Sequence, residues 1–207
     1  MWKLISKSFL LLLYAVVICC VIYPLALWLI GQQLFPFQAN GSILYDAKGK
    51  PIGSRLIAQP FTDDAYFHPR PSAASYDASA SSSSSLAASN PALRNRVVKS
   101  LDKIGVNKDG KPDPKAKLND VPADMVTTSA SGLDPHITLQ SAEFQLDRVS
   151  AKWAEKSKRD QKQVKAEIES ILQKHASAPL MGLAGEKLVN VLEVNLELHN
   201  KYGTKGP

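Results

Sequence analysis

Phe9-Leu10-Leu11-Leu12-Leu13-Tyr14-Ala15-Val16-Val17-Ile18-Cys19-Cys20-Val21-Ile22-Tyr23-Pro24-Leu25-Ala26-Leu27-Trp28-Leu29-Ile30 carries no charged side chain. A helix over this stretch would be roughly 33 Å long, close to the ~30 Å hydrocarbon layer of a bilayer. Its one helix-breaker, Pro24, is tolerated in a membrane because neighbouring helices compensate the lost backbone bond. Trp28 and Trp2 flank the two ends, where indoles favour the interface. A cleaved signal peptide would have a shorter apolar region and a small-residue cleavage site, whereas this run continues into Gln32-Gln33-Leu34-Phe35-Pro36. A lipoprotein signal would need a small residue before its cysteine, but Cys19 follows Ile18 and a further apolar run follows Cys20. A core helix of a soluble protein would be shorter and amphipathic. The stretch therefore reads as an uncleaved anchor.

Lys3 and Lys7 precede the anchor, and the next cation is Lys48. The positive-inside rule then divides the chain into a cytoplasmic tail at 1–8, a transmembrane helix at 9–30 and an extracytoplasmic domain at 31–207. In a bacterium this is a single-pass protein of the inner membrane. Both cysteines lie in the anchor, so the outer domain has no disulfide and no cysteine-based metal site. The formal charge is +6, and removing Lys3 and Lys7 leaves about +4 outside. Nucleic acid is excluded as a partner by the compartment, and the cations at 152–174 alternate with acids as on a solvated helix. Membrane lipid is the expected surrounding of the anchor.

Past a connector containing Pro36, Asn40 and Gly41, two β-prone runs at 42–45 and 52–57 flank a Gly/Pro turn and predict a hairpin. Residues 60–90 lack helical periodicity. Their aromatics and prolines, followed by five serines at 81–85, predict a long ordered loop packed on a surface. Asn90 and Pro91 form a helix start, followed by an apolar face of Leu93, Val97, Leu101 and Ile104. Residues 106–122 read as a solvated loop, and Met125-Val126-Thr127-Thr128 as a short strand. Further helices are expected over Ala142–Trp153 behind a Thr138 cap and over Val164–His175 after Asp160. Val189–Tyr202 alternates like a strand, yet Asn190 with Glu193 has capping-box spacing and Gly203 suits a C′ position; helix is preferred. The sum is one α+β domain behind one membrane helix.

Signatures of chemistry are missing. There is no phosphate-binding glycine loop, no Asp-Lys-Thr-Gly phosphorylation motif and no Gly-x-Ser-x-Gly elbow. The histidines at 68, 136, 175 and 199 are scattered, and His175 merely extends an apolar helical stripe. The densest polar segment is Thr127-Thr128-Ser129-Ala130-Ser131-Gly132-Leu133-Asp134-Pro135-His136-Ile137-Thr138. Its hydroxyls could order a loop or hold an anion, and Asp134 with His136 could form an acid–base pair. A capping and loop-ordering role is the favoured reading, with a membrane-anchored hydrolase using Ser129–His136 as the alternative.

In order along the chain, several segments resemble the KdpC family, the C subunit of the bacterial Kdp potassium-transporting ATPase. They are the anchor with Gly41-Ser42 and Gly53-Ser54; Tyr66-Phe67-His68-x-Arg70-Pro71-Ser72-Ala73; Ser89-Asn90-Pro91-Ala92-Leu93; Ser129-x-Ser131-Gly132-Leu133-Asp134-Pro135-His136-Ile137; and Val189-Asn190-Val191-Leu192-x-x-Asn195-Leu196. Ala58, Ser81–Ser85, the length of 105–120, His175-Ala176-Ser177 and Glu186-Lys187-Leu188 depart from the family pattern. The resemblance implies a non-catalytic, single-pass subunit of an ATP-driven potassium-uptake complex. Its partners would be a channel-like potassium-translocating subunit and a P-type ATPase subunit, with a small fourth peptide in many species. Those partners would handle ATP and potassium, so no cofactor is expected in this chain. The family is described as assembling the complex and as a catalytic chaperone raising the pump subunit's affinity for ATP. An outward-facing domain, however, is separated from cytoplasmic ATP. Tyr66, Phe67, Arg70, Pro71, Asn90, Pro91, Ser129, Ser131, Gly132, Asp134, Pro135, His136, Asn190 and Asn195 are the motif residues expected to build an interface or order the fold. A third reading, an extracellular ligand-binding module, predicts an apolar pocket.

Overall fold

The computed structural model describes residues 1–46, 49–104, 107–108, 111–112, 121–178, 182 and 185–203. It comprises two compact units, Met1–Ser54 and Arg55–Pro207.

The first unit is dominated by one continuous helix, Trp2–Leu34, with mean hydropathy 2.7 over its most apolar window, none of which is buried. It consists of α1 (Trp2–Val16), a π-helical turn (Val17–Ile22) and α2 (Tyr23–Leu34). The π turn has a local cause. Proline brings no N–H to the turn before it, so the regular ladder breaks around Pro24. The Tyr23 N–H reaches back five residues to the Ile18 carbonyl instead. The helix outruns the predicted 9–30 at both ends, because Lys3, Lys7 and Gln32-Gln33 are compatible with helix even where they are unsuited to hydrocarbon. After the turn α3 (Pro36–Ala39) comes the expected hairpin, β1 (Ile43–Tyr45) antiparallel to β2 (Pro51–Ser54), with an irregular register after Leu44. Ala47 and Lys48 of its predicted turn lie outside the described residues, and β2 stops at Ser54 rather than Ile57.

In the second unit, α4 (Pro91–Lys103) starts where Asn90 accepts from the Ala92 N–H. A two-residue pair, β3 (Asn107–Lys108) and β4 (Lys111–Pro112), follows. Most of the predicted loop at 106–122 lies outside the described residues. The expected strand at 125–128 is replaced by the helical turn α5 (Ala123–Val126). Thr127 closes that turn, donating both its N–H and its hydroxyl to the Ala123 carbonyl, at 2.9 and 2.7 Å. So short an apolar run carries no periodicity to separate helix from strand.

β5 (His136–Thr138) pairs antiparallel with β6 (Leu188–Asn190) and feeds α6 (Leu139–Ser157), which is followed by α7 (Gln161–His175). Thr138 and Asp160 cap these helices as expected. α8 (Val191–Tyr202) begins at Asn190, whose side chain accepts from the Glu193 N–H at 3.3 Å. The reciprocal half of the capping box is absent, since the Glu193 carboxylate pairs with Arg55 at 2.8 Å. Gly203 is not left-handed (φ −61°), although its N–H still bonds the His199 carbonyl. A side chain there would meet that carbonyl at 2.3 Å, so close approach is what calls for glycine.

The core packs Val149 and Trp153 of α6, Val164, Ile168 and Leu172 of α7, and Val194 and Leu198 of α8 around Ile137 and Val189 of the β5–β6 pair. Ala65 and Phe67, from the segment at 60–90, are buried in the same cluster. Trp153 stacks on Tyr202 at 5.6 Å and meets the Tyr66 ring edge-on at 5.6 Å.

Candidate functional site

Residues 66–72 run through the motif region without a β partner, yet their backbone is paired. A carboxamide offers one donor and one acceptor side, as a strand edge does. The Asn195 side chain, 1 % exposed on α8, accepts from the Phe67 N–H at 2.8 Å and donates to the Phe67 carbonyl at 2.9 Å. Gln145 of α6 treats His68 in the same way, at 2.7 and 3.1 Å. Arg148 completes the frame, donating to the Asp64 and Tyr66 carbonyls and to Gln145 Oε1. The Tyr66 hydroxyl is 2.8 Å from His199 Nδ1. Two helices thus grip one extended segment through side chains alone.

The next residues of that segment grip the polar loop. The Arg70 guanidinium donates to the Thr128 carbonyl at 3.2 Å and lies 3.6 Å from Asp134 Oδ2. Asp134 Oδ1 accepts from the His136 N–H at 3.0 Å and is 3.2 Å from His136 Nδ1. The His136 side chain, then its backbone N–H and Arg70, hold the Asp134 carboxyl below the usual carboxylate range against the opposing effect of burial. The Pro71 carbonyl accepts from the Ser129 N–H, and Ser72 Oγ donates to the Gly132 carbonyl at 2.5 Å. Gly132 adopts φ +73°, and a Cβ there would sit 2.9 Å from both Ala74 Cβ and the Ser82 carbonyl. The serine tract closes over it: the Ser82 N–H donates to the Ser131 carbonyl at 3.0 Å. Pro135 offers its carbonyl to the Val191 N–H at 3.0 Å, and Asn190 Nδ2 donates to the Arg55 carbonyl at 2.8 Å.

The structure thus brings Tyr66, Phe67, Arg70, Pro71, Ser129, Ser131, Gly132, Asp134, Pro135, His136, Asn190 and Asn195 into one connected scaffold. Asn90 and Pro91 stand apart, exposed at the start of α4. Sequence reasoning passed over Gln145, Arg148 and Asp124. Gln145 and Arg148 neighbour the apolar stripe residues Leu146 and Val149, and polar residues bordering a buried stripe are the available signal. Asp124 accepts from the Thr138 N–H at 2.8 Å and from the Ser141 hydroxyl, reinforcing the start of α6. No local pattern announces that contact.

Chemically, the arrangement holds a loop. Ser129 is buried, Ser131 Oγ accepts from the Leu133 N–H at 3.1 Å, and His136 turns to Asp134. Among the described residues no serine hydroxyl pairs with His136, so the nucleophile–base contact a hydrolase requires is not formed. No cluster of three potential metal ligands occurs among them either.

The profile of the family described as KdpC, K+-transporting ATPase, c chain, matches residues 5–200. A potassium-transporting ATPase KdpC subunit of Koribacter versatilis is 40% identical over 200 residues, covering 96% of this chain and 95% of the relative. That of Caulobacter sp. (strain K31) is 41% identical over 186 residues, covering 89% and 87%. That of Bacillus cereus (strain Q1) is 39% identical over 182 residues, covering 88% of each. With an apolar N-terminal helix, an α+β fold and a match over nearly its whole length, the chain belongs to the KdpC family of K+-transporting ATPase subunits.

Proposed function

We propose that this chain is a non-catalytic accessory subunit of an ATP-driven potassium-uptake complex, anchored once in a bacterial cytoplasmic membrane with residues 31–207 outside. One observation carries the reading: the Trp2–Leu34 helix leaves its apolar surface uncovered, while the motif residues direct their polar groups at one another. Such a helix requires lipid or other helices around it, and such a loop system stiffens a surface rather than presenting a nucleophile. The relatives are named as subunits of a potassium-transporting ATPase, which supports membership of a multi-subunit complex; in this reading the partners are a channel-like potassium-translocating subunit and a P-type ATPase subunit, with a small fourth peptide in some complexes. Potassium and ATP are handled by those partners. The chain supports ATP use indirectly, by holding the assembly together, and the Lys3 and Lys7 asymmetry supports an outward-facing domain.

Purifying the complex from membranes with and without this chain, and identifying the co-purified subunits by mass spectrometry, tests the role. Loss of potassium-stimulated ATPase activity without the chain is expected; full activity from the other subunits would sink the proposal. Lys187→Cys, at an exposed position, tests the orientation. It should react with a membrane-impermeant maleimide in intact spheroplasts, and protection until lysis would reverse the topology.

A further inference from the structure

The apolar character of the chain does not stop where the span stops. No charged side chain occurs between Lys7 and Asp46, so residues 31–45 are as free of charge as the helix before them. Leu34, Phe35 and Phe37, just past the span, leave 68, 55 and 42 % of their surface exposed.

Local bonds fold this segment back onto the helix end. Phe35 leaves the helical region (φ −134°, ψ 53°) because Pro36 follows it, and a residue before proline is pushed out of the helical conformation. The turn α3 then reverses the chain. Asn40 Nδ2 donates to the Pro36 carbonyl at 2.7 Å and to Gln32 Oε1 at 3.2 Å, tying the end of the turn to the helix. The positions from Gly31 to Ala39 would span about 12 Å of straight helix. Instead the two residues lie side by side, and a Cβ on Gly31 would sit in ordinary contact with Ala39 Cβ at 3.7 Å. The elbow is fixed at its far end as well. The N–H of buried Ser42 donates to the Phe37 carbonyl at 2.9 Å, and Ser54 Oγ of the hairpin donates to the Gly41 carbonyl at 2.7 Å.

This return sets the height of the exposed side chains. A span at 9–30 fills the ~30 Å hydrocarbon layer, and the headgroup layer adds about 5–7 Å on each side. Leu34 lies about 6 Å past Ile30 along the axis, and the chain then comes back to the level of Gly31. Residues 34–39 therefore remain within the headgroup layer. Bulk water would leave three large apolar side chains uncovered, and hydrocarbon would strand the carboxamides of Gln32, Gln33 and Gln38. The interfacial layer suits both, which is why aromatic rings concentrate there.

We propose that the elbow at 31–42 is a lipid-binding foot, with Leu34, Phe35 and Phe37 seated in the headgroup layer of the leaflet through which the chain leaves the membrane. It fixes the height and direction of that exit, which a bare helix end does not. The proposal rests on the reading of Trp2–Leu34 as a membrane span.

The test uses the full chain, with Cys19 and Cys20 replaced by Ala, in liposomes of phosphatidylcholine and phosphatidylglycerol. A nitroxide is attached in turn at Phe37→Cys, at Leu25→Cys within the span and at the exposed Lys187→Cys. Power-saturation EPR compares collisions with oxygen, which concentrates in the bilayer, and with a water-soluble nickel chelate. Oxygen should dominate at position 25 and nickel at 187, with the ratio at 37 between them and on the oxygen side. Adding Phe35→Ser should move the ratio at 37 towards that at 187. A ratio at 37 equal to that at 187, with 25 still in hydrocarbon, would overturn the foot and leave the span standing. A water-like ratio at 25 would overturn the span and the foot together. Few collisions with either reagent at 37 would mean that polypeptide rather than lipid covers the elbow, and a ratio indifferent to Phe35→Ser would remove the aromatics from the contact; each overturns the proposal.

Discussion

Asn195→Ala is the most direct probe of how the motif segments are held. The side chain is 1 % exposed and makes two hydrogen bonds, at 2.8 and 2.9 Å, to the N–H and carbonyl of Phe67, itself 1 % exposed. Alanine removes both partners at once and leaves a buried donor and a buried acceptor unsatisfied, at about 1–3 kcal/mol each. Water entering the vacated space offsets part of this, so a loss of about 3–4 kcal/mol is expected. For a chain of this size that corresponds to a fall in Tm of roughly 10 °C. The assay is thermal unfolding of the full chain in detergent, combined with hydrogen exchange of the peptide containing Phe67. Exchange of the Phe67 amide should accelerate by about two orders of magnitude if its protection depends on this bond. Asn195→Asp supplies an internal control. The carboxylate can still accept from the Phe67 N–H but opposes the Phe67 carbonyl, so its folded-state pKa is raised. Its stability should therefore recover as pH falls and protonation restores an O–H donor. A fall in Tm below about 2 °C, with unchanged Phe67 exchange, would refute the idea that this amide substitutes for a strand.

Gly132→Ala forces a Cβ into a left-handed residue against Ala74 and Ser82, and should cost about 2–3 kcal/mol, read as a lower urea midpoint at constant slope. Glu167 accepts from Arg159, Tyr202 and Lys201, which hold its carboxyl far below the usual carboxylate range. A depressed folded-state pKa stabilises above the unfolded value of about 4.3 and is lost as pH falls through the folded one. The stability gap between the wild type and Glu167→Gln should therefore be widest near neutrality and close in acid, as pH-dependent urea titrations would reveal. Replacing Ser131 and His136 together by Ala should leave potassium-stimulated ATPase activity of the complex within about twofold, because neither is buried. A loss of several orders of magnitude would revive the hydrolase reading.

Local chemistry was readable wherever one residue type satisfies a need within a few positions. Asn90, Thr138 and Asp160 cap their helices because a short oxygen side chain reaches the free N–H groups of the first turn. The stripes of α6 and α7 reach the core because a 3.6-residue period places them on one face. Where the period is too short to count, the sequence misleads. Val126 ends a helical turn rather than entering a strand, and Leu188–Asn190 forms a strand just ahead of the helix preferred for that region. The turn is closed by Thr127 bonding back to the Ala123 carbonyl, whereas the strand is decided by pairing with the distant His136–Thr138.

The anchor and family membership follow from the sequence alone, since an uncharged run of bilayer length has few fates and the motif runs are specific to one family. The way the motifs work belongs to the tertiary structure. Phe67 and Asn195 lie 128 positions apart, Arg70 and Thr128 lie 58 apart, and only folding shows that each pair is one hydrogen-bonded unit. The same holds for the segment at 60–90, whose composition resembles a linker. It is ordered because its backbone finds partners on α6, α8 and the Ser129–His136 loop, and free backbone groups are satisfied by whatever tertiary neighbours the chain supplies.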